Sequence, residues 1–118
     1  VPDTSLDYWL KRLKKFGIQH SAPQQRFDDE LFIYFEDIHG LGLELVFNKE
    51  DQRPGFTYGQ IPMEHAVKGF HGVALSEEGY ERTAALLLQG MDHQLVNEKG
   101  NRYRMSASGA PGDFVDII

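Results

Sequence analysis

Residues 28–48 read Asp-Asp-Glu-Leu-Phe-Ile-Tyr-Phe-Glu-Asp-Ile-His-Gly-Leu-Gly-Leu-Glu-Leu-Val-Phe-Asn and form the most apolar stretch of the chain. Aromatic and β-branched residues at 31–36 favour a strand. The sequence Asp-Ile-His-Gly at 37–40 favours a turn, because its glycine can adopt a positive φ. Residues 41–47 then favour a returning strand. This stretch therefore predicts a β-hairpin.

The returning strand carries one carboxylate, Glu44, between two leucines. Alternation places it on the face opposite Leu41, Leu43, Leu45 and Phe47, which we expect to pack on a helix. An ionised carboxylate in an apolar strand is costly unless it has a partner. Two interpretations stay open: Glu44 binds a metal or substrate, or it pairs with a basic residue or reaches water.

The composition is that of an ordinary globular domain, with 41% hydrophobic and 25% charged residues in 118. No apolar run approaches the roughly 18–20 residues that a membrane helix needs. The net charge of −6 argues against nucleic-acid binding, which needs a basic surface. The absence of cysteine excludes disulfides and thiolate metal sites, so we predict a cytoplasmic protein. The chain begins without Met, and we expect it to be a piece of a longer protein.

Upstream of the hairpin, an amphipathic helix is predicted. Its capping residue is Thr4 or Ser5, and Gly17 ends it. A short edge strand is the most that residues 19–27 suggest. The apolar stripe of the helix consists of Leu6, Trp9, Leu10, Leu13 and Phe16.

The pattern restarts in the second half of the chain. We predict a strand at 69–75, a helix at 77–88 capped by Ser76 and ended by Gly90, a hairpin of strands 94–97 and 102–107, and a last strand at 113–118. Residues 49–67 show no periodicity and contain prolines and glycines. We therefore predict a first module at 1–48 that lacks its leading strand, a linker at 49–67, and a second module at 68–118.

The two modules suggest an internal repeat of about 72 residues. Gly17 and Gly90 both end helices, and Gly40 and Gly112 both precede final strands. On this alignment Asp116 is the counterpart of Glu44, and it too lies inside an apolar strand. Two copies of one unit are typical of a duplicated supersecondary structure rather than of a solenoid.

The duplicated pattern resembles the βαβββ modules of the vicinal oxygen chelate superfamily, which includes glyoxalase I, bleomycin-resistance proteins and extradiol dioxygenases. Residues 34–45 resemble the last hairpin of such a module, and residues 68–75 resemble the first strand of the next. The sequences at 5–9, 64–66 and 111–116 are similar to the ring-cleaving, hydroquinone-type dioxygenase branch, whose members are longer. The resemblance implies an α+β fold in which each sheet curves into a cup with its helix outside.

The resemblance also implies a metal site, since ligands in this superfamily come from first and last strands. Carried onto this sequence, it assigns Glu44 and His71 as ligands and Asp116 as a secondary candidate, while Tyr34 could bind a phenolic substrate. The metal would be divalent, Fe(II) first, with Mn, Ni or Zn as alternatives. The chain departs from the two-His, one-carboxylate pattern of the dioxygenases, because the strand that would carry a second His is absent.

Structural interpretations of the same residues stay open. His71 could bond only to backbone, and Tyr34 could be a core residue with a solvated hydroxyl. Arg102 and Arg104 alternate on one strand and are interpreted as a solvated face.

Two functions follow from the sequence. The first is part of a metal-dependent ring-cleaving dioxygenase acting on a vicinal-oxygen or phenolic small molecule. The second is a non-catalytic binding or structural module with a degenerate metal site. In either case we expect no nucleic-acid or membrane partner, and a homo-oligomer formed through exposed sheet edges.

Overall fold

The computed structural model describes residues 1–118, which divide into two units, Val1–Gly69 and Phe70–Ile118. Unit 1 contains helix α1 (Leu6–Lys15) and strands β1 (Gln24–Arg26), β2 (Glu30–Glu36) and β3 (Gly42–Phe47). Unit 2 contains strand β4 (Gly72–Leu75), helix α2 (Glu81–Ala85), and strands β5 (Gln94–Lys99), β6 (Arg102–Ser106) and β7 (Phe114–Ile117). The predicted α+β fold class is confirmed. No helix is long and apolar enough to cross a membrane.

Helix α1 packs four of the five residues of its predicted apolar stripe on an antiparallel sheet of order β1-β2-β3. The fifth, Phe16, follows the helix and is 57% exposed. Gly17 ends the helix at φ +67, because this left-handed conformation lets its own N–H bond to the carbonyl of Lys14 and the N–H of Ile18 bond to the carbonyl of Leu13.

Trp9 and Leu13 from the helix meet Ile33 and Phe47 from the strands in one core. The predicted hairpin is therefore confirmed, with Leu45 and Phe47 on the helix side as alternation required. Leu41 and Leu43, predicted to pack on the same face, are instead 62% and 38% exposed, because they lie at the start of β3, away from the core.

Of the two predicted caps, Thr4 lies inside a 3-10 turn, Asp3–Ser5, and Ser5 occupies the N-cap position of α1. Ser5 makes no side-chain capping bond, however, and is fully buried. Its hydroxyl instead lies 3.0 Å from Nδ1 of His65 and 3.2 Å from the carbonyl oxygen of Glu64. The hydroxyl thus joins the start of α1 to a segment about 60 residues later.

Residues 49–67, predicted as a linker, lie within unit 1. Trp9 donates its indole N–H to the carbonyl of His65 at 3.0 Å, and the ring of Tyr8 stacks on the His65 ring at 4.3 Å. Ala66 is buried as well. The division into modules stays a prediction, but this segment packs against the first helix because aromatic residues of α1 bind it.

Unit 2 is a complete βαβββ unit with a mixed sheet of order β4-β7-β6-β5. The first strand, β4, is parallel to the last strand, β7. Ala84 and Leu87 pack on Met105 and Ile117. The helix begins later than predicted, because Gly79 has φ +81 and cannot belong to a right-handed helix. Helix α2 then ends in one π-helical turn, Leu86–Gly90.

The two units align, but not in the predicted register. Ile33 and Met105 hold the same core position on their strands, and so do Phe47 and Ile117. Met105 and its strand partner Val115 are two residues closer in sequence than Ile33 and its strand partner Leu45. The shorter connection makes Asp116 the counterpart of Val46 rather than of Glu44.

Candidate functional site

Glu44 lies on the distal face of the unit 1 sheet, which we define as the face opposite α1, and it is paired with a guanidinium group. Arg26 donates from Nη1 to Oε1 of Glu44 at 3.2 Å and from Nη2 to Oε2. Its Nε donates to Oε2 of Glu30 at 2.5 Å. One arginine thus bridges two carboxylates. These three residues are the Arg26 cluster.

The strands around Arg26 hold its side chain in place. β1 pairs Arg26 with Glu30 across a short turn in which Phe27 and Asp28 have positive φ values of 51° and 71°. The guanidinium carbon lies 3.9 Å from the ring centroid of Phe32, and the Arg26 side chain is 10% exposed. Burial lowers the pKa of Arg26, but the bonds to Glu44 and Glu30 outweigh burial and raise this pKa. The arginine is therefore held charged.

In unit 2 the distal face is the face of the sheet opposite α2. Asp116 lies on this face, where two arginines bind it. Arg104 donates from Nε to Oδ1 at 2.7 Å and from Nη2 to Oδ2 at 2.8 Å. Arg102 donates from Nη1 to Oδ2 at 2.5 Å. The Asp116 and Arg104 side chains are 5% and 9% exposed. These residues are the Asp116 cluster, and the interpretation of Arg102 and Arg104 as a solvated face is wrong.

His71 belongs to unit 2 and lies just before β4. Its carbonyl accepts a hydrogen bond from the N–H of Gly112 at 2.8 Å. Its half-buried ring contacts the ring of Phe114 edge-on, with 5.0 Å between centroids. Phe114 also lies under the Arg104 guanidinium at 4.8 Å. His71 thus lies beside the Asp116 cluster.

Tyr34 is the cross-strand partner of Glu44 on the distal face of unit 1. Its hydroxyl donates to Oε1 of Glu36 at 2.9 Å, and its side chain is exposed. This bond to Glu36 raises the pKa of Tyr34, because the neutral phenol is the donor. Its ring also lies over Gly42, where an added Cβ would come within 3.0 Å of it. Tyr34 therefore presents an aromatic edge and an acidic neighbour to solvent.

Neither unit fits a metal centre by its own donors. No group of three or more His, Cys, Asp or Glu side chains could hold a metal ion. Each carboxylate oxygen of Glu44 and of Asp116 already accepts a hydrogen bond from an arginine. A divalent cation at either carboxylate would have to displace a guanidinium. The assignments of Glu44, His71 and Asp116 as ligands, and of Tyr34 to the substrate, stay predictions.

Arg26 and Glu30 are the members of these clusters that sequence reasoning missed. The available signal was cross-strand pairing rather than any motif. Arg104 and Asp116 each lie between two apolar residues of their strands. Because those apolar neighbours face the helix, the side chains of Arg104 and Asp116 both face the opposite side of the sheet, where the two strands pair them. The position of Arg26 on the same face as Glu44 was harder to predict, because Arg26 lies on a three-residue strand with no apolar alternation.

Comparisons with known proteins agree with the fold. No family model matches the chain. The chain is 33% identical over 117 residues to a Bacillus subtilis (strain 168) protein named ring-cleaving dioxygenase MhqO, covering 99% of this chain and 37% of that protein. It is 27% identical over 117 residues to one named ring-cleaving dioxygenase MhqE from the same strain, covering 99% of this chain and 38% of that protein.

A solved structure is also similar. The crystal structure described as a dioxygenase from Bacillus subtilis matches with a TM-score of 0.86 and 34% identity, over 99% of this chain and 37% of that one. The chain thus spans little more than a third of the length of these relatives. Together with the βαβββ topology of unit 2, these similarities agree with the resemblance of the sequence to the glyoxalase/dioxygenase superfamily.

Proposed function

We propose that this chain forms part of a ring-cleaving dioxygenase and serves there as a domain whose metal site is degenerate. The names of the two relatives support the first half of the proposal. One observation carries the second half: arginines bind both oxygens of Glu44 and both oxygens of Asp116. In the proposed role, each guanidinium supplies the positive charge that a metal ion would otherwise supply.

The physical reason is electrostatic. Buried Asp116 needs a cation, partly exposed Glu44 gains from one, and a bidentate guanidinium satisfies the charge and the lone pairs of a carboxylate together. A site neutralised in this way is stable without a metal and has no open coordination position for a substrate. The domain would therefore contribute to folding and assembly, while the whole protein acts on a phenolic or vicinal-oxygen small molecule.

Metal content tests the proposal. The purified chain would be loaded anaerobically with Fe(II), and separately with Mn(II), Ni(II) or Zn(II), then desalted and measured by mass spectrometry. Glu44→Gln and His71→Ala would be measured beside the unchanged chain, and Glu36→Gln would serve as a matched control on the same strand pair. We expect substoichiometric metal in every sample, because the carboxylates are already paired.

The opposite result would establish the metal-dependent alternative. One metal per unchanged chain, retained by Glu36→Gln and lost from both Glu44→Gln and His71→Ala, would show that Glu44 and His71 are ligands. This result would reject the proposal that the metal site is degenerate. A cytoplasmic location and a homo-oligomeric state stay predictions from the sequence.

A further inference from the structure

Unit 2 holds two tyrosine rings against each other. The rings of Tyr80 and Tyr103 lie nearly parallel, with 4.2 Å between their centroids and 12° between their planes. At this separation the carbon atoms of the two rings are in van der Waals contact. Two phenols therefore meet face to face in the folded chain.

The backbone holds both rings in this arrangement. Tyr103 lies on β6, where Glu98 of β5 and Ile117 of β7 pair with it, and its side chain packs against the core of unit 2. Tyr80 occupies the N-cap position of α2, and its carbonyl accepts from the N–H of Ala84 at 2.8 Å. The contact is thus part of the fold of unit 2, because it joins the start of the helix to an inner strand of the sheet.

The surroundings of the pair favour loss of a proton together with an electron. Burial raises the pKa of Tyr103, and so do the hydroxyl of Tyr80 and the carboxylates of Glu98 and Glu81. Both carboxylates therefore lie close enough to the phenols to accept a proton during oxidation. Tyr80 is 38% exposed, so a small molecule in solvent can reach its ring.

We propose that Tyr80 and Tyr103 form a modification site, at which a one-electron oxidant from solvent joins the two rings as a dityrosine cross-link. Each ring loses one electron to the oxidant and its hydroxyl proton to water or a carboxylate. The two phenoxyl radicals then form one carbon–carbon bond between positions ortho to the hydroxyl groups. The hydrogen on each of these carbons leaves as a proton, and each ring oxygen takes up a proton. Two oxidant equivalents are reduced, and the chain loses two hydrogens.

Contact before oxidation makes this pair the favoured site of coupling. Two radicals must meet to form a bond, and groups held in contact react as if their concentration were very high. The other three tyrosines have different neighbours: Tyr8 stacks on a histidine, Tyr34 bonds to a glutamate and Tyr58 contacts a phenylalanine.

The cross-link would stabilise a weak part of unit 2. Helix α2 has five residues before its π-helical turn, and an isolated helix of that length is unstable in water. A covalent bond from its N-cap position to β6 would hold the helix on the sheet and restrict the unfolded chain, as a disulfide does.

Oxidation of the full chain tests the proposal independently of any metal. The oxidant would be tris(bipyridine)ruthenium with persulfate under light, and cross-linked peptides would be identified by mass spectrometry. Tyr80→Phe and Tyr103→Phe keep the ring contact but lack a hydroxyl that can become a phenoxyl radical. Tyr58→Phe is the matched control, because Tyr58 is 92% exposed and reacts without a tyrosine neighbour.

We expect a link between Tyr80 and Tyr103 within one chain, with a loss of two hydrogens. Its yield should stay the same on about tenfold dilution, because the coupling is intramolecular. Tyr58→Phe should keep this yield, and Tyr80→Phe and Tyr103→Phe should each show about tenfold less dityrosine fluorescence. The linked chain should also have a higher urea midpoint by circular dichroism.

Three results would overturn the proposal. The first is no link between Tyr80 and Tyr103 under conditions that couple free tyrosine. The second is cross-linking mainly between chains or through Tyr58, since coupling would then follow exposure. The third is an equal yield of the link in urea-unfolded chain, because the contact in the fold would then have no role.

Discussion

The distal faces of the two sheets each carry a cluster of arginines and carboxylates, but the numbers of the two groups are reversed. Unit 1 places one arginine, Arg26, between two carboxylates, whereas unit 2 places one carboxylate, Asp116, between two arginines. The formal charge of the first cluster is therefore −1 and that of the second is +1. Exposure differs too, since the Glu44 side chain is 29% exposed and that of Asp116 is 5% exposed.

This difference shows how a carboxylate on the distal face of a last strand can be paired in two ways, at two different positions of the strand. In unit 1 the excess charge is carried by Glu44 and Glu30, and Glu44 can still reach water. In unit 2 the central carboxylate is buried, and both cations depend on it. The same kind of substitution should therefore be more damaging in unit 2 than in unit 1.

The largest effect is expected from Asp116→Asn. This change removes the buried carboxylate charge that binds both Arg104 and Arg102, which should lower the free energy of unfolding by about 3 to 5 kcal/mol. Urea unfolding followed by far-UV circular dichroism would measure the loss. The double variant Asp116→Leu with Arg104→Met should recover most of the lost stability, because it removes both charges. A double variant no more stable than Asp116→Asn would contradict the buried-pair explanation.

A smaller effect is expected from Arg26→Met. The substitution keeps the packing on Phe32 but leaves two carboxylates side by side, and it should lower the free energy of unfolding by about 2 kcal/mol. Trp9 fluorescence reports on unit 1 and would follow the transition. Adding Glu44→Gln should restore about half of the loss by removing the like-charge pair. If Arg26→Met were as damaging as Asp116→Asn, the contrast between the two clusters would be lost.

A third pair, Asp51 with Arg53, lies outside both sheets and serves as a reference. The hydrogen bond from Arg53 lowers the pKa of Asp51 from 3.8 to about 2, although burial opposes this shift. Because the folded-state pKa is depressed, this stabilisation is complete above the unfolded value near 3.8 and is lost as pH falls through about 2.

Asp51→Asn should therefore flatten the pH dependence of unit 1 stability between about pH 4 and pH 2, while its stability at pH 7 falls modestly. Unfolding midpoints followed by Trp9 fluorescence across this range would measure the change. Parallel curves for the variant and the unchanged chain would show that the depressed pKa of Asp51 contributes nothing to folding.

The smallest effect on stability is expected from Tyr34→Phe. The hydroxyl bonds only to exposed Glu36, so the unfolding midpoint should not change measurably. The variant therefore separates folding from binding. If Tyr34 contacts a phenolic substrate, chemical-shift titration with hydroquinone should show weaker binding for Tyr34→Phe than for the unchanged chain. Equal binding would remove Tyr34 from the substrate site.

Much of the fold could be predicted from periodicity. The stripe of α1, the hairpin of β2 and β3, and the restart of the pattern in unit 2 depend on local spacing, which burial of one face enforces. The start of α2 could not be predicted in the same way. Ser76 has the chemistry of a cap, but Gly79 takes a positive φ and the helix begins after it.

The candidate site was less predictable, because partners far apart in sequence decide it. Glu44 could have bound a metal, paired with a basic residue or reached water, and its partner in the structure is Arg26, which lies in a strand of three residues. The length of one connection decided that Asp116 aligns with Val46 and not with Glu44. Neither the partner nor the register is encoded in a local pattern.

The sequence by itself determined the class of fold, the apolar faces of its strands and the presence of a charged residue on the opposite face of each last strand. Alternation is a local property of extended backbone, so residue order alone specifies it. Only the tertiary structure decided that arginines bind Glu44 and Asp116. That outcome depends on which strands meet, because a charge that loses water on folding is stabilised by a counter-charge brought close by a neighbouring strand.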